Sequence, residues 1–340
     1  MLKKFMSTKM TAALKLLIAG SIIAYMVGSN QLSFSKILRA LHPLNFLWIA
    51  TLCVATMTIT SLRWNILLRV FNFRYSFWET LKLSLIGTFF NTFMPGAVGG
   101  DLIKTYYIYA EEKDKKSKIL ASFSVLLDRV VGLLTLIFFV TLLFLFFWSD
   151  IAANVTYRKL FWFVFSCSSL AMMGIVVLWI LSKKDLNKVS LEKNTYVTKL
   201  ISTCVDLISH LKGKWNYVWV SFLMTFISQA ISISIFYYAA HALGFYEIPL
   251  KTFFLAVPLG MLVMALPLTP AGVGTGQAAF LIMFQWIGVP SSFSGADLCT
   301  LVQIIVVTTS LLSGLWFYLK YKRGSIKSNW NVMPQPHATT

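Results

Sequence analysis

Acidic residues are scarce in this chain: 12 Asp and Glu among 340 positions, against 30 Lys and Arg. Charged residues of both signs make up only 12%. A soluble domain of this length could not hide the remaining 57% apolar content, and the mean hydropathy of +0.73 belongs to a membrane chain. Cysteine is sparse too. Cys53, Cys167, Cys204 and Cys299 show no CxxC spacing and three sit inside apolar stretches, so they read as small core residues and not as disulfides or metal ligands. His42, His210, His241 and His337 are isolated, with no HExxH spacing and no Ser or Cys nucleophile arrangement nearby. No GxxxxGK[ST] occurs, and no strand and βαβ unit surrounds the Gly-rich segments, which removes a nucleotide P-loop and a dinucleotide site. The chain is therefore expected to be no enzyme, with neither catalytic residues, cofactor nor metal. The net charge of +18 does not point to nucleic acid, because the basic residues gather at helix ends and in short connections.

What the chain has in quantity is long apolar runs. Those near 12 to 28, 44 to 62, 120 to 148, 160 to 181, 217 to 243 and 297 to 319 reach the length that crosses hydrocarbon. Unbroken stretches such as LLTLIFFVTLLFLFFW, 133 to 148, contradict the alternation of a β-barrel. An all-α polytopic membrane fold with six full spans is expected. The first run follows Lys3, Lys4 and Lys9 and resembles a signal peptide, but its exit AYMVGSNQ is a poor cleavage site, so it reads as a retained helix.

Two further apolar regions, about 80 to 110 and 252 to 290, are each split by a Pro/Gly cluster into short pieces. They read as helical hairpins that dip in and return. Counting Lys and Arg with the N-terminus inside places 63 to 82 (with Arg63), 111 to 118, 182 to 215 and the C-terminus in the cytoplasm; Lys36 and Arg39 run against the rule. The two hairpins then open to opposite sides, in an inverted arrangement. Their breaks are also alike: MPGAVGGDL at 94 to 102 aligns with TPAGVGTGQ at 269 to 277, sharing Pro95 with Pro270, Val98 with Val273 and Gly99 with Gly274. Inverted repeats with broken helices at the midplane are transporter architecture. The segment 191 to 215 has helical periodicity and basic flanks, as expected of a helix on the cytoplasmic leaflet.

Proline removes a backbone donor and glycine relaxes the chain, so each break frees amides and carbonyls that in lipid must be buried in protein or wet. FNTFMPGAVGGD, with Asn91, Pro95, Gly99 and Gly100, is thus expected to line a polar path. Asp101 and Lys104 share a face, with Asp101 a candidate cap and Lys104 a positive charge beside exposed amides. A plainer reading has Asp101 only capping and Lys104 only reaching to the interface. Asp128 and Arg129 in SVLLDRVVGLL lie within a span. Adjacent residues point about 100° apart on a helix, so each needs its own partner, Asp101 or a phosphate in the case of Arg129; a structural ion pair is the alternative. In the second break, Pro270, Gly272, Gly274, Thr275, Gly276 and Gln277 offer hydrogen bonds, or close helix packing.

FNTFMPGAVGGDLIKTYYI, then LLDRVVGLL, then PLTPAGVGTGQAAF resemble, in that order, the flippase-like membrane domain of lysylphosphatidylglycerol synthases of the multiple peptide resistance factor type, here without the synthase domain. The resemblance runs from about 10 to 320 and implies translocation of a lipid between leaflets. It also implies a path lined by Gly99, Gly100, Asp101, Lys104, Asp128, Arg129 and the second break. Many relatives are expected to carry arginine where Lys104 stands; lysine keeps the charge and loses the bidentate grip on phosphate. A single membrane domain, 1 to 320, and a short cytoplasmic polar tail, 321 to 340, expected to be disordered, complete the organisation. The substrate expected is a phospholipid or polyprenyl-linked or glycolipid molecule with an anionic or phosphate-bearing headgroup. The partners are membrane lipids; a homodimer is compatible with the sequence. Both termini are expected on the cytoplasmic side of the cell membrane. The alternative function is a non-transporting accessory protein that binds a lipid or an enzyme of envelope-lipid synthesis.

Overall fold

The computed structural model describes residues 17–93, 99–111, 115–152, 155–183, 208–266 and 268–320. Among these residues every regular element is a helix. In chain order they are α1 (Leu17–Gly28), α2 (Phe34–Ala40), α3 (Pro43–Val70), α4 (Phe77–Phe93), α5 (Gly99–Glu111), α6 (Lys115–Phe146), α7 (Trp148–Ala152), α8 (Val155–Lys183), α9 (Trp215–Ala242), α10 (Leu250–Ala265), α11 (Thr275–Ile287) and α12 (Gly295–Lys320). A single turn of 3₁₀ helix, Pro270–Gly272, stands between α10 and α11. The cytoplasmic surface helix expected over 191 to 215 falls largely outside the described residues, as do the tail after 320, Pro95 and Val98.

Among the described residues five helices are long and apolar enough to cross a membrane: α3, α6, α8, α9 and α12. The sequence led us to expect six such spans. The sixth, α1, is described only over Leu17–Gly28, 12 residues and about 18 Å, which is short of a crossing. The four pieces of the two split regions are 17, 13, 16 and 13 residues long for α4, α5, α10 and α11. At 1.5 Å per residue none reaches the ~30 Å of a hydrocarbon core.

α3 and α9 run antiparallel along much of their length, since Trp48 meets Tyr238 near one end and Arg63 meets Thr225 toward the other. α12 packs on α3, α4, α9 and α11, whereas α8 touches the bundle mainly through α6 and turns Trp162, Phe163, Leu170 and Met173 outward. Side chains that face lipid in this way need no polar neighbours. The main core is aromatic: Phe236 stacks on Phe280 at 4.6 Å, and Phe253, Phe284 and Phe293 pack around them. Two glycines let the backbones close around Phe280. A Cβ on Gly260 would lie 2.5 Å from the ring, and one on Gly295 would lie 2.3 Å from the Phe280 carbonyl oxygen. Between apolar helices in lipid, such close approach replaces the hydrophobic drive available in water.

Candidate functional site

α4 and α5 meet backbone to backbone. A Cβ on Gly100 would sit 2.1 Å from the carbonyl oxygen of Gly87, and Gly87 faces the aliphatic stem of Lys104. Asn91, near the end of α4, accepts the Gly100 N–H on its Oδ1 at 2.7 Å and so ties the start of α5 to its partner. Sequence reasoning offered Asp101 as the cap. The helix includes Gly99 and Gly100, so Asp101 already lies within the first turn, and Asn91 supplies the acceptor from outside. Asp101 is thereby released for another partner: Arg129 of α6 donates to its carboxylate through Nε.

Asp128, one residue earlier on α6, points elsewhere. It receives Nε and Nη2 of Arg63 at 2.8 and 3.0 Å, a bidentate pair, while Nη1 of Arg63 donates to Thr225 on α9 at 3.1 Å. Gly132, one turn along α6, gives the guanidinium its room, for a Cβ there would lie 3.1 Å from Nη1. Arg63 is therefore no cytoplasmic loop residue. The apolar stretch WNILLRV continues α3 past it to Val70, and the residue is 8% exposed in the middle of three helices.

Lys104 holds its ammonium 4.7 Å from the ring centre of Trp64, a fully buried residue, and lies within electrostatic reach of Asp101, Asp128, Arg63 and Arg129. Its own contacts include no carboxylate ion pair among the described residues. Among the described residues, five charges thus share one interior region, three positive and two negative. Arg63, Trp64, Thr225 and Gly132 were not singled out from the sequence. The apolarity of WNILLRV was the available signal for the first two, because it extends the helix and so moves Arg63 indoors.

The second break is closed by neutral groups. Gln277, 2% exposed, accepts the Gly274 N–H on Oε1 at 2.7 Å and donates through Nε2 to Gln303 and Thr300 of α12, at 2.7 and 3.3 Å. Gln303 in turn donates to the carbonyl of Ala271 at 3.4 Å, and the hydroxyls of Thr269 and Thr275 share a hydrogen bond of 2.8 Å. The chain passes through positive φ at Ala271 (50°), Gly272 (70°) and Gly274 (84°), which explains the glycines at the last two. Pro270, Gly272, Gly274 and Gly276 are all buried. Gln277 spends both donors and its carbonyl inside the protein. The turn also packs against α4, so the two broken pairs share a wall, and α12 touches both. On α12, Gln303 holds the second break, and Gly314, about 16 Å further along, receives α4 at Leu85 and Phe89.

Residues 12–314 match the family model described as the lysylphosphatidylglycerol synthase TM region. The chain belongs to that family. A UPF0104 membrane protein of Methanocaldococcus jannaschii is 23% identical over 291 residues, 81% of this chain and 84% of the relative. A UPF0104 membrane protein of Pyrococcus horikoshii is 32% identical over 96 residues, 28% of each chain. The three sequence motifs that resemble the family's membrane domain are thus the ones that build the two breaks and the charged interior of this lysylphosphatidylglycerol synthase TM-region protein.

Proposed function

We propose that this protein moves a lipid with an anionic, phosphate-bearing headgroup, a phospholipid or a polyprenyl-linked or glycolipid molecule, between the leaflets of the cell membrane. On this reading it is a transporter and not an enzyme. The observation that carries the reading is the charge balance at the first break among the described residues: Arg63, Lys104 and Arg129 against Asp101 and Asp128. A charge at membrane depth costs about 2.5 to 3.5 kcal/mol on insertion scales, so an uncompensated cation is kept only with a use. A phosphate brought to Lys104 removes the imbalance, and the amides at the start of α5 favour the same charge. Arg129 adds the second contact. Its side chain is 39% exposed and its pair with Asp101 is more open than the Arg63–Asp128 pair, so a headgroup can compete with Asp101 for it.

The pieces α4, α5, α10 and α11 are each too short to cross, and we read them as hairpins entering from opposite sides with both termini cytoplasmic. A headgroup would then pass along the shared wall without shedding its water into bare lipid.

The test is leaflet exchange in liposomes with fluorescent phosphatidylglycerol and a polyprenyl-phosphate probe, bleached from outside. Wild type should expose inner-leaflet probe, and the better probe names the substrate class. Lys104→Gln and Asp101→Asn, still folded, should slow exchange at least about tenfold, the equivalent of 1.4 kcal/mol. Wild-type rates in Lys104→Gln would remove the charge argument. Bleaching equal to that of empty liposomes for every probe would favour the non-transporting accessory protein.

A further inference from the structure

Where α3 begins and α9 ends, four ring-bearing side chains line one cavity. Trp48 meets Tyr238 edge to face, with centroids 5.9 Å apart and planes at 84°. Tyr238 stands at 76° to His241, 6.4 Å away, and His241 lies 5.2 Å from Tyr246 in the loop after α9. Together with Asn45 these side chains line a space of about 170 Å³. Trp48 and Tyr246 are 53% and 71% exposed, so they are not core filling.

We propose that this cavity binds an alkylammonium group, either free or as the headgroup of a membrane lipid. The faces of aromatic rings are electron-rich and attract a cation held within about 6 Å of their centres, and four aromatic side chains border this one space. Among the described residues no lysine or arginine lines the space to compete. The carbonyl end of α9 adds partial negative charge. The volume is close to the liquid share of about six waters, enough for a methylated ammonium and its first carbons. An interfacial belt accounts for Trp and Tyr at this depth, but a belt does not require the rings to share a cavity. The cavity is also separate from the charged interior, because Trp48 precedes Arg63 by 15 residues, about 22 Å along α3.

The test is isothermal titration of the purified full chain with choline and with neohexyl alcohol, its neutral carbon isostere. Choline should bind at least about tenfold more tightly than the isostere, and Tyr246→Ala should weaken choline about five- to tenfold with the thermal midpoint unchanged. Equal affinity for the two compounds, or no binding of choline, overturns the proposal. So does a choline affinity that survives in both Tyr246→Ala and Trp48→Ala. A soluble short-chain phosphatidylcholine separates the sources: tighter than choline assigns a lipid headgroup, equal or weaker assigns a free alkylammonium. No leaflet exchange enters this measurement, so its outcome is independent of the translocation assay.

Discussion

Replacing Asp128 by asparagine leaves the shape of the Arg63 site and deletes its charge. Arg63 would then hold a full positive charge at 8% exposure, with a neutral amide and the Thr225 hydroxyl as its nearest acceptors. Breaking one side of a buried ion pair costs about 3 to 5 kcal/mol, because the partner's desolvation is no longer repaid. Both side chains are nearly buried, at 10% and 13%, so solvent screening does not discount that range much. The expected loss is about two to three and a half orders of magnitude in the unfolding equilibrium, read by denaturant titration in mixed micelles. Removing both charges, in Arg63→Met with Asp128→Leu, should recover most of the loss, since a buried pair is often replaced by apolar side chains at little cost. The coupling between the two sites is the deciding quantity. If the double variant is as unstable as the sum of the singles, or if Asp128→Asn unfolds like wild type, the pair does not hold α3, α6 and α9 together and the argument fails.

Two further substitutions probe the breaks. Gly100→Ala places a methyl 2.1 Å from the Gly87 carbonyl oxygen, so α4 and α5 must separate; a loss of about 1 to 3 kcal/mol is expected by the same titration, against less than 0.5 kcal/mol for Gly174→Ala, where a Cβ meets open space. Gln277→Leu strips the acceptor from the buried Gly274 N–H and the donor from Gln303, for an expected loss of about 1 to 3 kcal/mol, and Gln277→Glu should restore the Gly274 bond while still failing to donate to Gln303.

Much of this architecture was legible in the sequence because apolar length is a one-dimensional signal. The spans at α6, α8, α9 and α12 emerge within a few residues of the runs that announced them, and the short pieces were visible as runs cut by Pro and Gly. The end of α3 was not, because Arg63 looks like the cytoplasmic end of a span when charges alone are counted. Its environment is set by α6 and α9, more than 60 and 160 residues away in sequence. Asp101 was one of two partners the sequence offered Arg129, a phosphate being the other, since adjacent residues on α6 diverge and each needs its own. Asn91 as the tie between α4 and α5, and Gln303 beneath the second break, are invisible for a different reason. An amide carries no cost that demands a named partner until the fold has buried it.

The two breaks begin from similar sequence and are secured by different chemistry. The second is closed by amides and hydroxyls whose donors and acceptors satisfy one another, and Gln277 has no donor left to offer. Neutral, mutually satisfied groups in low dielectric are costly to pull apart, so this network resists separation of α11 from α12. The first is bordered, among the described residues, by three cations and two carboxylates, one pair nearly sealed and the other more open. An arriving anion changes the energy of such a cluster and leaves the amide knot almost unaffected. If the two broken pairs move relative to each other in a working cycle, the movement belongs to α4 and α5 with Asp101 and Arg129 as the exchangeable contact, while Arg63, Asp128 and Thr225 keep the surrounding helices in register.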